Sequence, residues 1–237
     1  ASADGIINID PPIPIPPPDF SKWLTIRYHR VLVTIEGQVA TTEVDQVFRN
    51  DATVPLEGTY VFPLPAGAAV DDFVMWVDDQ ALEPQILPAD EARVIYEGYV
   101  RRNQDPALLE YVGREAIRAS IFPIPPQGER RIRLRYTQVL SSEDNVMAYR
   151  YPLNTERFSA SPLEQVSIVV EVSSSVDLGA LYSPTHQDDI VITRQGDRKA
   201  SVSYEASTIY PDRDFELYIG ARTETLGASL LSFRPLD

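Results

Sequence analysis

Residues 24–50 read LTIRYHRVLVTIEGQVATTEVDQVFRN, and their apolar side chains recur with a period of two. Leu24, Ile26 and Tyr28, then Val31, Val33 and Ile35, alternate with polar residues around His29. Past Glu36-Gly37, the side chains of Ala40, Thr42, Val44, Gln46, Phe48 and Asn50 share one face, with Thr41, Glu43, Asp45 and Val47 opposite. Successive side chains of a strand point to opposite sides, so the pattern predicts two long strands joined at Glu36-Gly37, each with one buried face. Ala40, Val44 and Phe48 are expected in the core, and Gln46 among them must find a partner for its amide.

Shorter stretches of the same character follow at 59–62, 72–77, 116–122, 130–140 and 146–151, and after a break at 159–162 they resume at 166–172, 180–182, 190–194, 201–205 and 215–219. Pro63 and Pro65, like Pro123, Pro125 and Pro126, end strands by removing donors from the ladder, and Gly67 and Gly128 supply turns. One segment departs from the period. In PADEARVIYEGYVRR, residues 88–102, Ala92, Ile95, Tyr96, Tyr99 and Val100 recur at helical spacing, with acidic residues near the start and Arg101 and Arg102 at the end. That spacing predicts a helix laid across a sheet, with Leu108, Leu109 and Tyr111 sealing the junction. Residues 10–18, DPPIPIPPP, hold six of the 20 prolines and cannot form a helix or a central strand. The expected fold class is therefore mainly β: a two-sheet β-sandwich with one covering α-helix and an N-terminal proline-rich extended arm. The expected divisions are the arm at 1–22, a first β domain at 23–141, and a C-terminal β region at 142–237 packing on it.

Composition narrows the function. The 35 acidic residues outnumber the 21 basic ones for a formal net charge of −14, which repels phosphate backbones and anionic lipid and argues against nucleic-acid binding. The chain has no cysteine, so disulfides, thiolate nucleophiles and cysteine zinc sites are excluded. No apolar run approaches the roughly 18–20 residues that span a bilayer, so no membrane insertion is expected, and the start ASADGIINID lacks the basic segment of an uncleaved signal peptide.

The blocks VATTEVDQVFRN (39–50), EGTYVFPLPAGAAVDDFVMWV (57–77), EARVIYE (91–97), DPALLEYVG (105–113) and FPIPPQGERRIRLRYTQVL (122–140) carry a further signal. In order and spacing they resemble the VIT domain shared by inter-alpha-trypsin inhibitor heavy chains and the vault-associated poly(ADP-ribose) polymerase. The resemblance covers about residues 24–140 and identifies the first β domain, 23–141, with a VIT domain. It implies a bacterial protein, extracellular or cell-surface in location, its signal peptide already removed, that normally continues into a von Willebrand A domain. It also implies a role in adhesion or matrix assembly. Two family features are missing: no D-x-S-x-S metal motif and no Asp-Pro-His cleavage site occur.

Catalytic chemistry finds little footing. His29 lies in a strand and His186 in a loop, both expected as ordinary sheet or surface residues, with no H-E-x-x-H, nucleophile elbow or phosphate loop. The expected catalytic and metal-ligating sets are empty, and no cofactor is expected. The acidic pairs Asp71-Asp72, Asp78-Asp79, Asp188-Asp189 and Asp212 with Asp214 make calcium the one conceivable ligand, with solvated turns as the simpler reading. Arg131, Arg133 and Arg135 alternate with Ile132, Leu134 and Tyr136, which sets three guanidiniums on one face. Glu43 and Asp45 are expected opposite them as a structural ladder, in preference to a patch for anionic glycans. In the arm, Ile6, Ile7, Ile9, Ile13 and Ile15 are too apolar for a solvated linker, so they pack on their own domain or add to a sheet edge of a neighbour, building a homo-oligomer or filament. The reading that follows is a non-enzymatic interaction module with protein partners. A passive scaffold for a von Willebrand A domain and a calcium-dependent glycan or matrix binder are the alternatives.

Overall fold

The computed structural model describes residues 6–8, 24–65, 67–77, 80–82, 108–111, 116–153 and 161–222. Among them sixteen strands occur, β1 to β16 in chain order. Eight form one sheet, in the order β14 (Ile190–Arg194), β15 (Lys199–Ile209), β12 (Leu163–Ser173), β2 (Leu24–Glu36), β3 (Val39–Asn50), β9 (Glu129–Val139), β5 (Ala69–Val77), β6 (Gln80–Leu82). The two long strands of the opening stretch are its centre. They turn at Gly37, whose φ of 60° lies in the left-handed region that glycine enters without steric cost. All neighbours are antiparallel except β12 and β2, which run parallel from Val166↔His29 to Ser173↔Glu36. Through that pairing the C-terminal region extends the same sheet as the N-terminal one.

A second layer covers one face. It consists of a sheet ordered β1 (Ile6–Asn8), β4 (Leu56–Pro63), β8 (Ala116–Ile124), β7 (Leu108–Tyr111) and another ordered β10 (Ser142–Glu143), β11 (Val146–Tyr151), β16 (Phe215–Ala221), β13 (Leu178–Tyr182). Val31, Val33, Ile35, Ala40, Val44, Phe48, Ile132, Leu134, Ile168 and Val170 of the large sheet face Tyr60, Phe62, Tyr149, Tyr151, Phe215 and Leu217 of the two smaller ones in one continuous core. Phe62 marks where all three sheets meet, 5.7 Å from Tyr136 and 6.2 Å from Tyr151, ring centre to ring centre. Burying each such aromatic side chain stabilises the fold by roughly 1.5–3 kcal/mol.

The expected sandwich with one covering helix is corrected by this architecture. Among the described residues every regular element is a strand and none is a helix. The segment 88–102, where the helical spacing lies, is outside the described residues. The cover over the large sheet is built from strands: Tyr60 and Phe62 of β4, Tyr149 and Tyr151 of β11, and Phe215, Leu217 and Ile219 of β16 point inward at alternate positions, matching the pleat below. Leu108, Leu109 and Tyr111, expected at a junction, belong to strand β7, paired with β8. No helix long and apolar enough to cross a membrane occurs among the described residues.

Candidate interaction face

The other face of the eight-stranded sheet has no second sheet over it among the described residues, and its side chains line up in rows across the strands. Register places Glu43 opposite Arg135 and Asp45 opposite Arg133 on β3 and β9, and Trp76 opposite Arg131 on β5 and β9. Asp45 is the hub. Its carboxylate accepts Arg131 Nε at 2.9 Å and Arg131 Nη2 at 2.5 Å, and Tyr28 donates its hydroxyl to the same group at 3.2 Å. The forked contact fixes the guanidinium plane as well as its distance. Arg131 then lies 4.5 Å from the Trp76 ring centre and Arg133 5.4 Å from it. Arg133 donates to Asp72 on β5 at 3.2 Å. Arg30 covers the Tyr28 ring at 4.4 Å, and burial together with the Asp45 charge raises the Tyr28 pKa, so its hydroxyl stays a donor. Cation–π contacts of this kind, with the forked ion pair, hold Trp76 and Tyr28 in defined orientations.

Of the five residues expected in the ladder, the structure joins Arg131 to Asp45, sends Arg133 to Asp72, and leaves Arg135 and Glu43 facing each other in register without an ion pair among the described residues. Trp76 and Arg30 were not singled out from the sequence, while Asp72 entered only as half of an acidic pair and Tyr28 only as part of the strand alternation. The signal was present in AVDDFVMWV, where a period of two puts Asp72, Val74 and Trp76 on one face, but Asp71-Asp72 reads more simply as a turn. Beside this cluster a shallow polar groove of about 270 Å³ runs between β2, β12 and β15, lined by Tyr28, Arg30, Gln165, Ser167, Glu205 and Ser207 among others.

The remaining candidates sit elsewhere. His29, expected as a routine sheet residue, is completely buried and links the three sheets. Gln46 Nε2 donates to His29 Nδ1 at 2.8 Å, Tyr60 donates its hydroxyl to Gln46 Oε1 at 2.9 Å, and His29 Nε2 lies 2.6 Å from the Tyr151 hydroxyl. With Nδ1 accepting, the proton of the neutral ring sits on Nε2 and is donated to Tyr151. Burial lowers the His29 pKa to about 3, so the ring is uncharged. His186 is nearly buried against Tyr204 and Phe215, its Nδ1 2.9 Å from the Thr185 hydroxyl, and burial followed by the Arg213 charge lowers its pKa.

Among the acidic pairs, Asp71 accepts the Thr137 hydroxyl, Asp212 pairs with Arg213 and Asp214 with Arg150, while Asp78 and Asp79 lie outside the described residues. No group of three or more histidine or acidic side chains able to hold a metal ion occurs among the described residues. In the arm, Ile6 and Ile7 belong to β1, which pairs with β4 of the same chain from Ile6↔Val61 to Asn8↔Thr59; Ile9, Ile13 and Ile15 lie outside the described residues.

Residues 26–136 match the family described as the vault protein inter-alpha-trypsin (VIT) domain. The chain is 25% identical over 214 residues to the Mus musculus protein mono-ADP-ribosyltransferase PARP4, covering 80% of this chain and 11% of that protein. It is 28% identical over 125 residues to the Mus musculus von Willebrand factor A domain-containing protein 5A, covering 52% of this chain and 16% of that one. The chain thus spans only a small part of these relatives. A solved Legionella pneumophila structure, provisionally named for nutrient binding, superimposes with a TM-score of 0.59 at 13% identity, over 86% of this chain and 68% of its own, a likeness of fold.

Proposed function

We propose that this chain, which carries a VIT domain over residues 26–136, is a non-enzymatic protein-interaction module of extracellular or cell-surface type, engaging partners through the outer face of its eight-stranded sheet. The observation that carries this reading is Trp76 held beside Arg131 and Arg133, with Arg131 locked by Asp45. Tryptophan, tyrosine and arginine dominate the binding energy of protein interfaces, and side chains already ordered lose less entropy on docking. The VIT match and the von Willebrand A context of a relative support placing that module in adhesion or matrix assembly.

Surface plasmon resonance over immobilised collagen, fibronectin and laminin tests it. At least one should bind the wild-type chain, and Trp76→Ala should weaken that binding at least tenfold while the circular dichroism spectrum is unchanged. Absence of binding to all three, or a Trp76→Ala variant that binds equally well, removes the reading. In a finer form, the arm of one copy pairs with β4 of the next as Ile6–Asn8 pair here within one chain. Removing residues 1–19 and following particle size by light scattering tests that form; an unchanged size ends it.

A further inference from the structure

Among the described residues the eight-stranded sheet ends at β14, and β14 lacks the devices that keep sheet edges from pairing. Edge strands are protected by being very short, by proline, by bulges, or by charges placed along them. β14 pairs with β15 at all five positions from Ile190↔Tyr204 to Arg194↔Ala200 without a register shift, and its first four residues, Ile190, Val191, Ile192 and Thr193, are uncharged and β-branched. Val191 is 62% exposed and Ile192 39% exposed, one on each face of the strand. Other edges are blunted: β6 has three residues, β10 has two, and β13 carries a register shift between Leu178 and Leu181.

We infer that β14 is the pairing edge for a second copy of this chain, the two β14 strands running antiparallel about a two-fold axis at Ile192 and fusing two eight-stranded sheets into one. The charges at its ends select this occupant and direction. Asp188 and Asp189 precede the strand and Arg194 closes it, with both Asp188 and Arg194 exposed. In the antiparallel pairing Arg194 of each copy falls opposite Ile190 of the other, at the end where the turn carrying Asp188 and Asp189 leads into the strand, whereas a parallel pairing sets like charges together. Arg194 is already steadied by donating to the carbonyls of Leu178 and Gly179, so little of its freedom remains to be lost. Ile192, exposed in the single chain, meets its own counterpart at the axis. A five-residue seam buries well under the roughly 1,200 Å² of a standard stable interface, so the dimer forms only at high concentration. The inference is independent of the Trp76 face, which lies on β5 near the opposite end of the sheet.

Sedimentation equilibrium from about 10 μM to about 1 mM, a range that brackets weak self-association, reads it directly. The wild-type mass should rise from 26.5 kDa toward twice that value. Val191→Lys, on the solvent side, should stay monomeric at least tenfold further up the range with an unchanged melting temperature, and a chain without residues 1–19 should associate as the wild type does. Because the native chain has no cysteine, I192C offers a second, register-specific readout. Directly opposed strand residues are within disulfide reach, so I192C should cross-link under mild oxidation much faster than V139C, whose site on β9 is 72% exposed but distant from the edge. A wild-type chain that remains at 26.5 kDa throughout, a Val191→Lys variant that associates equally, or equal cross-linking of I192C and V139C overturns the inference.

Discussion

Gln46 is fully buried and uses both ends of its amide, donating to His29 and accepting from Tyr60. Gln46→Leu keeps the volume but takes away the donor to His29 Nδ1 and the acceptor of the Tyr60 hydroxyl, each buried bond lost costing about 1–3 kcal/mol. Urea unfolding should show a loss of about 2–5 kcal/mol at neutral pH. The need for a partner at this position was readable from the alternation of β3, since Gln46 shares a face with Val44 and Phe48. The partner was not. His29 looks like a break in the pattern because Tyr28 follows Leu24 and Ile26 by even steps, yet a register shift between Ile26 and Tyr28 turns the strand over, so that His29 joins Val31, Val33 and Ile35 inside. A bulge leaves no mark in hydrophobic period except a change of phase. The His29 environment also sets a pH response. Its folded pKa, about 3, lies below the ordinary value of 6.5, so the unfolded chain binds more protons between them. Stability from this residue is complete above about pH 6.5 and falls by roughly 1.4 kcal/mol per unit as pH drops through that window toward 3. Urea midpoints of the wild type measured from pH 7 to 4 should decline more steeply than those of His29→Gln, which starts from a lower value and lacks this titration.

Among the elements, β9 shows how far a charge pattern can be read. Its alternation correctly sets Arg131, Arg133 and Arg135 on one face and Ile132, Leu134 and Tyr136 on the other. The pattern could not say which carboxylates answer them, because β5 lies on the far side of β9 from β3 and only the sheet order reveals it. The consequence is measurable. The Arg131 side chain is 43% exposed and that of Asp45 17%, so their pairing contributes at the upper end of the surface range, about 0.5–1 kcal/mol in a double-mutant cycle of Arg131→Ala with Asp45→Ala. Arg135→Ala, with no ion pair to lose, should change stability by less than about 0.5 kcal/mol. A cycle energy near zero for Arg131 and Asp45 would show that the hub does not order this face. The covering helix illustrates the opposite outcome: helical spacing at 88–102 is a local property, whereas the cover seen over the core is made by strands whose apolar positions meet only in three dimensions.

At the scale of the molecule, the architecture runs on across residue 141. The large sheet runs on from β2 to β12, and Tyr149, Tyr151 and Phe215 of the later region fill the same core as Tyr60 and Phe62 of the earlier one. Calorimetry should therefore show one cooperative transition for the whole chain. A chain ending at Ser141 should melt without a cooperative step and bind hydrophobic dyes, since it lacks both the neighbour of β2 and the aromatic cover supplied by β11 and β16. Strand content was legible because each strand carries its own period. A mainly β, layered body was legible as well; the strand order was not, because pairing between segments far apart in the chain depends on edges and twist that no single segment records. That distance has a kinetic side. His29 and Val166 are neighbours in the sheet, yet roughly 140 residues of translation separate them. At about 5–20 residues per second, the first half of the nascent chain waits on the order of ten seconds with the flank of β2 bare. Synthesis of this protein is expected to depend on chaperone shelter during that interval, and slowing the ribosome should increase the misfolded fraction.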